Sequence, residues 1–191
     1  TEGDILLDGI SVVKEPIVCK RKMAYVPDTP RLEEYMTGMQ YLNFVCDIYQ
    51  ISAKERKQNI ERLIHAFQME PHISGLISSY SHGMKQKVAL IAAFSHNPKL
   101  LVLDEPFVGL DPEAFIALKE QMKMLCRKGS SILFSSHILD VVEKLCNIIS
   151  IIKDGRLLYS GLTEELIGVE GLEDAFMELN SNESFDPSIE K

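Results

Sequence analysis

Residues Leu100-Leu101-Val102-Leu103 form an unbroken apolar run that ends in Asp104-Glu105-Pro106. A strand without polar alternation is buried on both faces, which is the mark of a parallel sheet with helices packed against it. Parallel neighbours need helical crossovers, and the next residues have the right form. Asp111-Pro112-Glu113 supplies an N-cap, a proline at the first helical position and an acid in the first turn. Leu118, Met122 and Leu125 fall on one helical face, and Gly129 suits the C-terminal cap. Ser131-Ile132-Leu133-Phe134 reads as the next strand, and 138–146 as a helix with Val141, Val142 and Leu145 inward.

Upstream, the rhythm is helical. Residues 4–7 read as a short strand ending at Asp8-Gly9, and Met23-Ala24-Tyr25-Val26 as a second strand stopped by Pro27-Asp28-Thr29-Pro30. Thr37 and Gln40 have capping-box spacing ahead of a helix from Met39 to Tyr49, and Ser52 with Glu55 repeats the device. Ile60, Leu63, Ile64 and Phe67 make one apolar face, and Pro71 ends that helix. A third helix starts near Ser81 and stops at Asn97-Pro98. Near the other end, Ile148–Ile152 and Arg156–Tyr159 flank Asp154-Gly155, a hairpin signal. The order predicts an α/β fold with a parallel core, 1–28 plus 99–160, and a helical subdomain inserted at about 29–98. One domain spans 1–180, and the polar residues 181–191 read as a flexible tail.

The 191 residues suffice for one sizeable core, at 46% hydrophobic and 25% charged residues. A net charge of -8 repels a phosphate backbone and argues against a nucleic-acid partner. The densest basic stretch, Lys20-Arg21-Lys22, reads as a solvated turn. Cys19, Cys46, Cys126 and Cys146 show no metal-binding spacing and read as buried, reduced thiols. No apolar run approaches the roughly 20 residues that span a bilayer.

The chemistry lies at strand ends and helix starts. Asp104 and Glu105 end a strand at the carboxyl edge of a parallel sheet, where ligands bind. Alone, the pair reads equally as solvated acids at a turn or as a Mg²⁺-holding Asp beside a water-activating Glu. Ser81-His82-Gly83-Met84-Lys85-Gln86 opens a helix whose free N–H groups suit a phosphate, although an ordinary N-cap has the same form. Gly109-Leu110-Asp111-Pro112 alone is a helix start, and His137 alone a surface or core histidine.

Order and spacing join these pieces. Tyr80-Ser81-His82-Gly83-Met84 resembles the signature motif of ATP-binding cassette (ABC) ATPases, and Leu100–Glu105 resembles their Walker B strand with its catalytic Glu. Gly109–Pro112 is similar to the D-loop and His137 to the switch histidine, while Asp28 falls where the Q-loop glutamine sits. The resemblance runs from about Thr1 to Leu166. It implies a P-loop NTPase-like (RecA-like) fold and an ATPase subunit that powers transport with ATP and Mg²⁺. Asp104 would hold the Mg²⁺ water shell, Glu105 would polarise the attacking water, and His137 would stabilise the γ-phosphate. Ser81 and Gly83 would close over nucleotide held by a second ABC ATPase subunit, and Asp111 would cross that dimer interface. Asp28–Arg31 and the helical subdomain would grip an integral membrane permease, which would place the chain on the cytoplasmic face of a membrane. The Ser-x-Gly-Met-Lys-Gln form resembles export cassettes. Soluble ABC ATPases of ribosomes or DNA are the alternative, disfavoured by a single acidic cassette without heptads.

The chain departs from that pattern at three places. No Gly-Lys dipeptide occurs, so the phosphate-binding Gly-x-x-x-x-Gly-Lys-Ser/Thr loop is not among these residues. A truncated, inactive chain with a gap in its sheet is the expectation, or a non-catalytic remnant. Asp28 replaces Gln, and His82 and Met84 replace Gly and Gln of the signature.

Overall fold

Regular structure begins with a tight antiparallel hairpin, β1 (Leu6–Leu7) and β2 (Ile10–Ser11), in a computed structural model that describes residues 3–167 and 171–181. Asp8 and Gly9 have φ of 50° and 74°, the paired left-handed conformation that matches a two-residue loop to strand twist. Next comes a helix that the sequence patterns do not predict, α1 (Pro16–Lys22). Proline presets its first φ, and Lys20, Arg21 and Lys22 occupy its last turn, where cations face the unpaired carbonyls. The basic triplet is therefore a helix end, not a free turn, and Lys22 Nζ pairs with Asp8 at 3.1 Å.

The core is a three-stranded parallel sheet in the order β3 (Met23–Val26), β4 (Leu100–Leu103), β5 (Ser131–Phe134). Ala24 pairs with Leu101 and Leu101 with Ile132, and Val26, Leu103 and Phe134 form the next such row. These rows point to one face, where α4 (His82–Ser95) packs on β3 and α5 (Pro112–Arg127) on β5. Tyr25, Val102 and Leu133 point the other way, and Tyr25 and Leu133 are 59% and 63% exposed. The sheet is thus apolar on both faces but covered on one. The expected gap does not fall between these strands. The three strands pair without interruption, and β5 has a strand partner on one side only among the described residues.

The helical region comprises α2 (Gly38–Ile48), α3 (Ala53–Ala66) and α4. The Thr37–Gln40 capping box is complete. At Ser52 only half of the second box forms. Its hydroxyl accepts the Glu55 N–H at 3.4 Å but donates to the Glu55 carboxylate instead of leaving it for the backbone. Ile60, Leu63, Ile64 and Phe67 are all buried. The helix stops at Ala66, with Gln68 at φ 53°, before Pro71 is reached. Helix α4 is buried nearly all round from Val88 to Ser95, as a central helix must be. Each of Leu90, Ile91 and Phe94 contributes roughly 1.5–3 kcal/mol by leaving water.

Residues Thr1–Ser135 form one compact unit and Ser136–Lys191 a second. The second contains α6 (Leu139–Leu145), the hairpin β6 (Ile148–Lys153) and β7 (Arg156–Leu162), α7 (Thr163–Ile167) and α8 (Leu172–Ser181). Asp154 and Gly155 make its left-handed turn as read from sequence. Val141 of α6 is buried, whereas Val142 and Leu145 are half-buried. The Glu143 carboxylate accepts the Leu172 N–H at 2.8 Å, which ties α6 to the start of α8. Residues 182–191, most of the expected tail, lie outside the described residues. All four cysteines are free thiols. Cys19 and Cys46 are buried, but Cys126 is exposed on α5 and Cys146 is half-buried, contrary to the expectation that all four pack inside.

Beneath α4, His96 stacks on Tyr49 with ring centroids 3.6 Å apart. Both side chains reach the Met23 carbonyl, Tyr49 Oη at 3.2 Å and His96 Nε2 at 3.4 Å. Burial holds the imidazole below its ordinary pKa. The unfolded chain takes up a proton near pH ~6.5 and the folded chain resists it. Stability is therefore complete above that pH and falls as the pH drops through it. The thermal midpoint of wild type is expected to decline more steeply between pH 7 and 5 than that of His96→Phe. Parallel declines would show that His96 is not the source.

Candidate functional site

Parallel register brings the carboxyl ends of β3, β4 and β5 to one edge. Val26, Leu103 and Phe134 are in register, so the next residues of each strand emerge together. Asp104 N–H donates to the Val26 carbonyl at 2.9 Å and Ser135 N–H to the Leu103 carbonyl at 3.0 Å, which extends the ladder by one step. Ser135 Oγ then donates to Asp104 Oδ1 at 2.5 Å and accepts the Glu105 N–H at 3.0 Å. One hydroxyl fixes both a carboxylate and the backbone of the acid beside it. Glu105 has φ 44°, uncommon for a residue with a side chain and a form of strain that persists where the surroundings enforce it. Ser135 was legible in the sequence only as the residue after a strand.

Asp28 emerges two residues past Val26 and is exposed. Its carboxylate accepts the Thr29 N–H at 2.6 Å, a local turn contact. No group of three or more His, Cys, Asp or Glu among the described residues is placed to hold a metal by itself. Mg²⁺ keeps several waters and takes one or two carboxylates together with phosphate oxygens. A single strand-end Asp held by a hydroxyl fits that ion.

The N-termini of α4 and α5 meet nearby in the fold. Ser81 caps α4 through its hydroxyl, which accepts the Met84 N–H at 3.2 Å. Asp111 caps α5 by accepting the Ala114 N–H at 2.8 Å. Between them the backbones touch: a Cβ on Gly83 would lie 2.7 Å from the Gly109 carbonyl oxygen. Gly109 itself, at φ 75°, lies under the His82 ring. The second oxygen of Asp111 pairs with Lys87 Nζ. That hydrogen bond, more than any other influence, holds the Asp111 carboxyl below the ordinary range. Lys87 was missed in the sequence because its partner lies on another helix. His137 is exposed and opens the second unit.

Beside β3, a groove of about 790 Å³ runs between the Pro27–Leu32 segment and α2 and α4, with Tyr41, Tyr49, Ala89 and Ala92 among its walls. Among the described residues, no helix is long and apolar enough to cross a membrane.

A parallel core with an inserted helical region, two acids at its carboxyl edge and a capped helix facing outward defines a nucleotide-handling α/β ATPase fold. The ABC transporter family model matches residues 1–108. The ABC-type transporter ATP-binding protein EcsA of Bacillus subtilis (strain 168) is 34% identical over 177 residues, covering 93% of this chain and 72% of that protein. The ABC transporter ATP-binding protein NatA of the same organism is 33% identical over 175 residues, covering 91% and 71%. A solved structure, described as that of an ATP binding subunit of an ABC transporter, superposes with a TM-score of 0.89 at 34% identity, covering 94% of this chain and 77% of that one. This chain belongs to the ABC transporter family, as an ATP-binding subunit. Membership carries ATP hydrolysis with Mg²⁺ as the general activity.

Gly83 gives a test of the geometry. At an open helical position Gly→Ala stabilises by about 0.5–1 kcal/mol. Gly83→Ala is expected to destabilise by about 1–3 kcal/mol instead, because the added methyl meets the Gly109 carbonyl. Chemical denaturation measures the sign, and a stabilised variant would refute the close approach.

Proposed function

We propose that this chain carries the hydrolytic acids and the signature face of a transporter ATPase that works in pairs and drives a membrane permease, in the export direction. The observation that carries the reading is the Ser135 hydroxyl, which locks Asp104 and Glu105 together at the sheet edge. Asp104 holds the water shell of Mg²⁺. Glu105, fixed one residue on, orients and deprotonates the attacking water. By the resemblance, His137 would donate to the γ-phosphate, and Asp28 stands at the position of the family's Q-loop glutamine. Ser81 and Gly83 present the start of α4 to nucleotide held by the second subunit, where unpaired N–H groups favour anionic oxygens.

Phosphate grip comes from a loop that residues 1–191 do not contain, since no Gly-x-x-x-x-Gly-Lys-Ser/Thr occurs among them. The uncovered sheet face supports this. Parallel sheets are covered on both sides, and the Tyr25–Leu133 face is where a further helix would pack, with a further strand at the open edge of β5. The groove beside Pro27–Leu32 suits a short helix of the permease, with Val45, Ile48, Ala89 and Ala92 among its apolar walls and Tyr25, Tyr41 and Tyr49 also lining it. Export is supported by the Ser81–Gln86 sequence form.

In the full-length protein, Glu105→Gln is expected to lower ATPase kcat by about 10²–10⁴-fold while Mg-ATP binding is retained. Turnover at the wild-type rate would overturn the assignment of Glu105.

A further inference from the structure

The segment from Glu105 to Asp111 connects the acid edge to α5, and both of its ends are pinned. At its start the Ser135 hydroxyl holds the Glu105 N–H. In the middle the Val108 N–H donates to the Glu105 carbonyl at 3.1 Å, and buried Phe107 packs against Phe115 and Phe134. At its end, Asp111 divides its two oxygens. Oδ1 caps α5, and Oδ2 meets the Lys87 ammonium, whose side chain is only 11% exposed against 45% for Asp111. Lys87 belongs to α4, the helix that begins at Ser81. The same two elements also touch through Gly83 and Gly109, where only hydrogen separates a Cα from a carbonyl oxygen. The start of α4 and the acid-bearing segment thus form one block, joined by a backbone contact and by an ion pair on its shielded side.

Asp111 has a role within its own chain besides the one that resemblance implies. Sequence resemblance implies a residue that reaches across a dimer interface. Here its carboxylate is already engaged twice within its own chain, and a nearly buried ammonium depends on it. Removing either partner leaves a charge poorly compensated.

We propose that Lys87 is a positioning residue: through its ion pair with Asp111 it holds the Glu105–Asp111 segment, and so Glu105, in register with the nucleotide-facing end of α4. The idea rests on the ATPase function proposed for this chain. It makes the two nucleotide contacts of one subunit mechanically continuous. Nucleotide met by Ser81 and Gly83 bears on the same block that aims Glu105.

The test is a double-mutant cycle in the full-length protein, with its partner subunits, reading kcat and KM for Mg-ATP and the thermal midpoint. Lys87→Met removes the ammonium. Asp111→Asn breaks the pair but keeps an equally good helix cap. Lys87→Arg keeps the charge. Lys87→Met is expected to lower kcat about tenfold to a hundredfold, with KM little changed. Asp111→Asn should act in the same direction, and the double variant should be no slower than the slower single variant. Lys87→Arg should recover most of the rate. Losses that multiply in the double variant, or wild-type kcat in Lys87→Met, would overturn the positioning role. A drop in the thermal midpoint with no change in kcat would do the same, by reducing Lys87 to a structural residue. A wild-type protein that hydrolyses no ATP would sink the underlying functional reading instead.

Discussion

Everything at the candidate site depends on parallel register. Hydrogen bonding of β4 to β3 on one side and β5 on the other puts Val26, Leu103 and Phe134 in one row. The residues just past each strand must then emerge at the same edge. Asp104 and Ser135 continue the ladder by one residue before the chains diverge, and this last step places a hydroxyl against the Asp104 carboxylate and the Glu105 N–H. A one-residue slip of β5 would turn its side chains to the other face and take Ser135 away from both. The Leu-Leu-Val-Leu run is therefore more than core. Its burial in Leu101 and Leu103, each 1% exposed or less, fixes the position of the chemistry at its end.

A second constraint is the treatment of helix starts. Helices α4 and α5 both begin with a side-chain cap, Ser81 and Asp111, worth about 1 kcal/mol each by comparison with alanine. Caps of this kind leave the first backbone N–H groups facing outward. They are stabilising features of the fold and at the same time the surface a phosphate would meet. Glycine at 83 and 109 lets the two starts approach to a distance that no side chain would allow. Glu105 holds a left-handed φ in the segment between them. Strain, close packing and paired charge thus gather in one short stretch of chain, while the rest of the unit keeps to ordinary patterns.

How much of this was legible in the sequence depends on the range of each interaction. Local devices read correctly: the Thr37–Gln40 box, the Asp-Gly turns, and the Asp111-Pro112-Glu113 helix start, all set by residues within four positions of one another. The strand–helix order also read correctly, because an unbroken apolar run and a 3.6-residue period are both sequence patterns. Helix α1 escaped because it has only seven residues, too few for a period to emerge, and its basic end resembles a loop. The half-formed box at Ser52 failed for a different reason, since a hydroxyl and a carboxylate that can bond to the backbone can also bond to each other. Lys87 with Asp111 and Ser135 with the acids were out of reach, because each joins elements far apart in the chain and only the packing brings them together. The family resemblance supplied roles for single residues but not these supports. It also implied an interface role for Asp111 but gave no sign of its contacts within the chain, the α5 cap and the Lys87 pair.

The central claim is that these residues supply acids and a signature face but not the grip on phosphate. Calorimetric titration of Mg-ATP tests it most directly, using residues 1–191 alone and the same residues extended by a strand–loop–helix segment that carries the Gly-x-x-x-x-Gly-Lys-Ser/Thr loop. No measurable binding to the short chain and stoichiometric binding to the extended one is the predicted result. Stoichiometric binding to residues 1–191 alone would contradict it, and would mean that groups already at the sheet edge hold the nucleotide.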